Sequence, residues 1–308
     1  MRALVTGGAG FIGSHIADAL LAAGWEVVIL DNMATGSADN VPAGAKFIQG
    51  DAGDSELHAR VMPGCQAVFH LAAVSSVQNS IERPLAVHAA NMTASLALLE
   101  SAAEHRVPRF VFSSSAAVYG DTGGKPARED MTPSPLSHYA VQKLACEHYC
   151  SVYQRLHGLE TVCLRYFNVF GPRQRADSPY SGVIAKFIDA AKAGRPLVIY
   201  GDGEQTRDFC HVSDVVAANI EAAKASSEAI SAGVFNVGSG KSISVNQLAA
   251  AVGQAYGVGA TVERREARTG EIRSSQADIS LVSDRLSFRP LVDLPAGLRG
   301  LLREPRAL

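Results

Sequence analysis

RALVT (residues 2–6), GGAGFIG (7–13), SHIADALLAAG (14–24) and WEVVILD (25–31) open the chain in that order. Arg2–Thr6 is a short apolar run and reads as a strand. The pattern after Gly10 is helical as far as Ala23, and Gly24 stops it. Glu26–Leu30 reads as a second strand that ends at Asp31. A strand, a glycine loop, a helix, a strand and an acid in one short unit is far more specific than a glycine pattern alone. Gly7 permits the tight turn, Gly10 lets backbone approach a pyrophosphate, and Gly13 lets helix and strand pack closely. The helix N-terminus then faces the phosphates. Asp31 would accept hydrogen bonds from the adenosine ribose hydroxyls. A carboxylate there repels a 2′-phosphate, which favours NAD over NADP.

The alternation continues outward from this unit. Lys46–Gln49 reads as a strand followed by Gly50 and Asp51, whose carboxylate can meet the adenine edge. Ala67–His70 is another strand, and the small residues of Leu71-Ala72-Ala73 let a flat cofactor lie against backbone. Pro84–Arg106 has long helical periodicity. Arg109–Ser113 is a strand that delivers Ser113-Ser114-Ser115 at its carboxyl end, Ser137–Arg155 is a helix, and Thr161–Leu164 is a further strand. Ligands of open α/β sheets bind at the carboxyl ends of strands. The glycine loop, Asp31, His70 and Ser113–Ser115 all fall there. The fold class is therefore α/β, a Rossmann-type doubly wound parallel sheet. A smaller mixed α/β C-terminal region is expected to bind substrate.

Past Arg165 the alternation loosens. Phe170–Tyr180 reads as a loop, Val183–Ala193, Asp214–Ala225 and Val245–Tyr256 as helices, Tyr200–Arg207 as a glycine-rich turn, and Val234–Val237 as a strand. We expect residues 1–167 to hold the cofactor, with return segments around 208–240, and residues 168–308 to hold mainly substrate. The cleft between the two is a usual place for a ligand.

Tyr139 and Lys143 carry the chemistry. Residues i and i+4 share one helix face, so a phenol and an ammonium project side by side. The ammonium is expected to favour the phenolate and lower the tyrosine pKa from its usual value of about 10. Such a tyrosine can take a proton from a sugar or alcohol hydroxyl.

Bulk properties exclude several classes. The net charge is −2, so no basic field for nucleic acid or anionic membrane is implied. Across the sequence no apolar run approaches the roughly 20 residues of a membrane span, and MRALVTGGAG does not read as a signal peptide. A cytoplasmic location is expected. The five cysteines, Cys65, Cys146, Cys150, Cys163 and Cys210, are odd in number and lack zinc spacing. No metal is expected. Arg165, Arg173, Arg175, Arg207, Arg264, Arg265, Arg268 and Arg273 have the fork geometry that suits phosphate.

TGGAGFIGSH (6–15), HLAA (70–73), FSSSAAVYG (112–120), YAVQK (139–143), LRYFNVFGPRQ (164–174) and RDFCHVSD (207–214) together resemble the extended short-chain dehydrogenases/reductases, and more narrowly the UDP-hexose 4-epimerases. The resemblance covers nearly the whole chain. It implies that Ser115, Tyr139 and Lys143 are catalytic. It places Phe11, Ile12, Asn32, Asp51, Ala52, Asn91, Ser113 and Tyr166 with Gly7, Gly10, Gly13, Asp31, Leu71, Ala72 and Ala73 on the NAD side. On the UDP-sugar side it places Ser75, Asn168, Gln174, Tyr180, Gly182, Val183, Tyr200, Arg207, Arg268, Glu271 and Ser275. A homodimer through helices near 84–105 and 137–156 is also implied.

Two departures narrow the outcome. Dehydratases of this superfamily keep an Asp-Glu pair after the catalytic serine or threonine, and related decarboxylases keep the glutamate; Ala116 and Ala117 stand here and move no proton. At the position where enzymes restricted to glucose and galactose often carry tyrosine, this chain has Ser275, which leaves room for a 2-acetamido group but does not reject the smaller sugar. The resemblance thus implies reversible C4 epimerisation of a UDP-hexose with NAD, with N-acetylated sugars accepted as well. The rivals are an epimerase restricted to non-acetylated sugars, another nucleotide-sugar enzyme such as a dehydratase or decarboxylase, and a non-catalytic NAD-binding scaffold.

Overall fold

The computed structural model describes residues 1–177, 182–257, 261–267 and 272–303. Tyr180, Arg268 and Glu271, predicted from the resemblance, lie outside them.

In the first half, β1 (Arg2–Thr6), β2 (Glu26–Asp31), β3 (Lys46–Gln49), β4 (Ala67–His70), β5 (Arg109–Ser115) and β6 (Glu160–Tyr166) alternate with α1 (Phe11–Ala22), α2 (Ser55–Val61), α3 (Val77–Glu82), α4 (Pro84–His88), α5 (Ala94–Glu104) and α6 (His138–His157). The second half supplies β7 (Asn168–Phe170), α7 (Val183–Lys192), β8 (Leu197–Tyr200), β9 (Thr206–His211), α8 (Val212–Lys224), β10 (Val234–Val237), β11 (Ser242–Ser244), α9 (Val245–Tyr256), β12 (Val262–Arg265), α10 (Ser280–Leu286) and α11 (Leu294–Arg303).

A seven-stranded sheet runs β3-β2-β1-β4-β5-β6-β10, and every pairing in it is parallel. Strand order reverses between β1 and β4, the switch point at which such sheets bind ligands. Successive side chains of a strand point to opposite faces, and both faces here are covered. Val5, Ile29, Phe69 and Val111 pack under α1 and α8. Leu4, Leu30, Phe110 and Phe112 pack under α5 and α6. This double burial explains uninterrupted apolar runs such as ALV and VVIL.

The chain leaves this sheet after Tyr166. Phe167 still donates its amide to the Val237 carbonyl at 3.0 Å, and β7 then begins a small sheet, β11-β9-β7, while β12 pairs with β8. These strands were not expected from the sequence. Phe170 closes β7 where a loop was read, and the Tyr200–Arg207 turn is bounded by the end of β8 and the start of β9. β7 and β11 span three residues each, β9 mixes charged and apolar residues, β12 is largely charged and exposed, and β8 is apolar throughout, so no alternation marks them. The helix expected over Pro84–Arg106 is interrupted by a π-helical turn at Ala89–Thr93, a feature that often accompanies functional sites.

Candidate active site

At the switch point two loops approach closely. Gly7 has φ +70°, and a Cβ there would stand 2.7 Å from the Ala72 amide nitrogen and 2.9 Å from the Leu71 carbonyl carbon. Gly10 N-caps α1 with no side-chain cap, so the amides of Phe11, Ile12 and Gly13 present the positive end of the helix. Asp31, buried, accepts the Ala9 amide at 3.0 Å and the Met33 amide at 2.8 Å. Its carboxylate therefore ties the glycine loop to the end of β2 and keeps acceptor capacity for a ribose. Beyond it, Asn32 donates to exposed Asp51 at 3.3 Å, and Gly53 fixes the other Asp51 oxygen at 2.8 Å. Bare backbone beside an uncapped helix start, with a carboxylate at the next strand end, fits a dinucleotide.

A directed chain of hydrogen bonds supports the far wall. The Ala72 amide donates to Thr6 Oγ1 at 3.3 Å, and Thr6 meets His70 Nδ1 at 2.7 Å. His70 Nε2 meets Ser95 Oγ at 2.8 Å, and Ser95 donates to the Asn91 carbonyl at 2.5 Å. Ser95 is thus occupied as a donor, so the network assigns the His70 proton to Nε2. Burial, then the charges of Lys143 and His58, push the His70 pKa down to about 3, so the ring is neutral. The Asn91 side chain accepts the Val74 amide at 2.7 Å and donates to the Val74 carbonyl at 3.1 Å and to Gln142 at 3.0 Å. It holds the Leu71–Val74 segment against α6.

The start of α6 is anchored twice. Ser137 caps it through the Ala140 amide at 3.2 Å, and Ser80 Oγ takes the Tyr139 amide at 3.2 Å. The Tyr139 phenol lies near Ser115, whose hydroxyl favours the phenolate. Lys143 Nζ donates to the Ser113 carbonyl at 2.7 Å and lies 5.9 Å from the centre of the Tyr139 ring. The expected lowering of the tyrosine pKa does not appear. Burial raises Tyr139, with the Ser115 hydroxyl only partly offsetting it. Burial also lowers Lys143 to about 8. Desolvation penalises the phenolate and the ammonium alike, and the ammonium is directed at a carbonyl of β5.

A cleft of about 330 Å³ opens beside this set, with Ser115, Ala116, Ala117, Asn168, Arg207 and Ser275 in its wall. Tyr166 also lines it while its hydroxyl donates to Asn219 at 2.9 Å. Ser275 is fixed by its amide, which donates to the Thr206 carbonyl at 3.1 Å. Gln174, bonded to the Val169 carbonyl at 3.0 Å, sits beside Gly182. With Val183, Tyr200 and exposed Ser75, these two fall outside that lining. Several arginines read as phosphate ligands are held in ion pairs: Arg165 with Glu147, Arg173 with Asp18, Arg175 with Asp177, Arg265 with Glu263, and Arg273 with Asp202. All five cysteines are free and buried. Among the described residues no His, Cys, Asp and Glu group is arranged to hold a metal, and no helix is long and apolar enough to cross a membrane.

Sequence reasoning missed two supporting acids. Asp208 is fully buried and takes four donors: the Ser239 amide and hydroxyl, each at 2.7 Å, and the Gly240 and Ala277 amides, each at 3.0 Å. It stands next to Arg207 and two residues' reach from Ser275. Glu147 lies four residues past Lys143, on the same face, and that spacing was the signal available.

Fold and site define a nucleotide-binding enzyme of the doubly wound class, with buried Tyr139 and Lys143 and half-buried Ser115 between a dinucleotide groove and a second cleft. The chain belongs to the NAD dependent epimerase/dehydratase family, whose model matches residues 3–238. It is 37% identical over 298 residues to a putative UDP-glucose 4-epimerase of Methanocaldococcus jannaschii, covering 96% of this chain and 95% of that one. Among solved structures, a UDP-N-acetylglucosamine 4-epimerase from Methanobrevibacter ruminantium in complex with UDP-N-acetylmuramic acid superposes with a TM-score of 0.92 at 41% identity, covering 97% of this chain and 96% of that one. A Thermus thermophilus UDP-glucose 4-epimerase in complex with NAD superposes at 0.89 with 38% identity, covering 97% of each chain.

Proposed function

We propose that the chain is an NAD-dependent UDP-hexose 4-epimerase acting reversibly through a 4-keto sugar. The observation that carries this is Ser115 in the wall of a cleft whose next wall residues are Ala116 and Ala117, close enough to the buried Tyr139 phenol to favour its charged form. Tyr139 takes the O4 proton and later returns it, and Ser115 holds O4 by a hydrogen bond. Lys143, cationic below about pH 8, ties this face of α6 to β5 through the Ser113 carbonyl. NAD, which the glycine loop at Gly7–Gly13 and Asp31 would hold, would supply the hydride exchange at C4. With no acid or base at residues 116 and 117, the keto sugar has no partner for elimination, so reduction remains. Arg207 faces the diphosphate, about which the keto sugar turns.

On this reading residues 1–167 with the returning β10 hold NAD, and residues 168–308 hold mainly the UDP-sugar. Ser275, small and half-buried in the cleft wall, supports acceptance of N-acetylated as well as plain hexoses. Exposed Ile81, Leu85, Val141 and Leu156 on α3, α4 and α6 are read as a homodimer face; sedimentation as a monomer at micromolar concentration would reject that.

The deciding experiment incubates the protein with UDP-glucose and with UDP-N-acetylglucosamine separately and follows the C4 proton by NMR. The C4 epimer is expected from each. A 4-keto-6-deoxy product, or no epimer from either, overturns the reading.

A further inference from the structure

Behind the catalytic set lies a buried pair of charges whose position the reaction as proposed above does not use. Tyr139, Lys143 and Glu147 follow one another at i, i+4 and i+8 on α6, and each faces the end of β5. Tyr139 lies beside Ser115 and is influenced by it, Lys143 donates to the Ser113 carbonyl, and Glu147 accepts from Ser114 Oγ at 2.5 Å. Three consecutive residues of one strand are thus gripped by three consecutive turns of one helix. Glu147 reaches one strand further. Arg165 Nε and Nη2 donate to its two oxygens at 2.9 and 2.6 Å, and the two side chains are 3% and 4% exposed. Ser114 and Arg165 are register partners on β5 and β6, immediately before the pair Ser115 and Tyr166. The guanidinium also lies 4.6 Å from the centre of the Tyr119 ring, which lines the substrate cleft.

We propose that Glu147 is a positioning residue for the Ser115–Tyr139–Lys143 set: by engaging Arg165 and Ser114 together, it fixes where the catalytic face of α6 meets the carboxyl ends of β5 and β6. A charge pair buried this deeply is weak evidence for stability, because apolar residues of similar volume often replace such pairs at no loss. What the pair supplies is geometry. Its two parallel hydrogen bonds set both distance and orientation, and a displacement of about 1 Å in a catalytic group can cost about 10²-fold in rate. Glu147 has a second effect, on Lys143. The titratable groups acting on that ammonium are Cys146, Glu147 and Cys150 on α6 and Cys163 on β6. His70 on β4 feels its charge in turn. Tyr139 and Arg165 complete the surroundings, while β5 contributes only the Ser113 carbonyl and the Phe112 ring. Glu147 is the carboxylate in that set, and it opposes the loss of the Lys143 proton.

The proposal rests on the epimerase reading for its activity arm only. Glu147→Gln alone leaves Arg165 buried without its counter-charge and can fail to fold. The test therefore uses the double variant Glu147→Gln/Arg165→Met beside the wild type, with NAD affinity and thermal unfolding as controls. We expect a folded, NAD-binding protein with kcat at least about tenfold lower and KM for the UDP-sugar within about twofold. The basic limb of its kcat–pH profile should move. The independent readout is NMR of ¹³Cε-labelled lysine, where the Lys143 titration midpoint should differ from that of the wild type whether or not any sugar is turned over. A folded double variant with unchanged kcat, or with an unchanged Lys143 midpoint, overturns the proposal. A wild type without epimerase activity overturns the function proposed above, and the NMR arm still decides this one.

Discussion

A methyl group on Gly13 would stand 2.2 Å from the carbonyl oxygen of Gly7. The obstacle is backbone, so no rotamer change relieves it. Gly13→Ala must push α1 away from the loop that presents the phosphate-facing amides. Overpacking of this kind costs about 1–3 kcal/mol. We expect NAD affinity to fall at least about tenfold, equivalent to about 1.4 kcal/mol. Titration calorimetry with NAD checks it; an unchanged affinity would mean that the loop, not the helix, sets the phosphate site.

Tyr139→Phe removes one oxygen from a buried ring whose residue is otherwise held by packing and by the hydrogen bond its backbone amide donates to Ser80 Oγ. Fold and NAD binding should persist. Turnover should drop by about 10²–10⁴-fold, the range for a lost general acid–base. Near-normal turnover would remove Tyr139 from the proton-transfer role.

His70 makes the protein acid-sensitive. Its pKa is pushed down to about 3 by burial, with smaller contributions from Lys143 and His58, whereas an unfolded histidine titrates near 6.5. Between those values the unfolded chain binds the extra proton and the folded chain does not. Stability is therefore present above pH 6.5 and is lost as pH falls toward 3, by an amount on the order of several kcal/mol. His211, also lowered by burial, adds the same sign. Urea denaturation over about pH 4–7 should show this slope in the wild type and a shallower one in His70→Gln; equal slopes would exclude His70 as its source.

Asp208→Asn places an amide NH₂ where two donors now converge. The Ser239 pair approaches one oxygen, and the Gly240 and Ala277 amides the other. Leaving buried donors unpaired costs about 1–3 kcal/mol. The neighbours that loosen are Arg207 and the Ser274–Ala277 segment, so KM for the UDP-sugar should rise more than kcat falls. Steady-state kinetics separates the two; a pure loss of kcat would contradict the clasp role.

Ser275→Tyr fills the cleft beside Arg207 with a ring. The expected result is a selective loss of kcat/KM for the N-acetylated sugar nucleotide, with the plain hexose less affected. Equal loss on both substrates would show that Ser275 does not gate sugar size.

The sequence by itself determined the central sheet, the direction of its binding edge and the placement of Tyr139 and Lys143 on one helix face near the Ser113–Ser115 strand end. These rest on local signals: an apolar run buried on both faces, glycines forced by close backbone, and an i, i+4 pair on one helix. β7, β8, β9, β11 and β12 were not legible: β7 and β11 span three residues each, β9 and β12 mix charged with apolar residues, and β8 is a four-residue apolar run whose Leu197 and Ile199 bury in a core that forms only when the second half folds. Nor was the ionisation of Tyr139. Four residues of spacing put an ammonium near a phenol, but only the packed interior shows that burial raises Tyr139 and that Lys143 points at Ser113. The supports behind the set belong to the tertiary structure too. Asp208 and Glu147 each join segments far apart in the chain, and burial gives those contacts their strength. A sequence records the residue; only the folded molecule records what it is buried against.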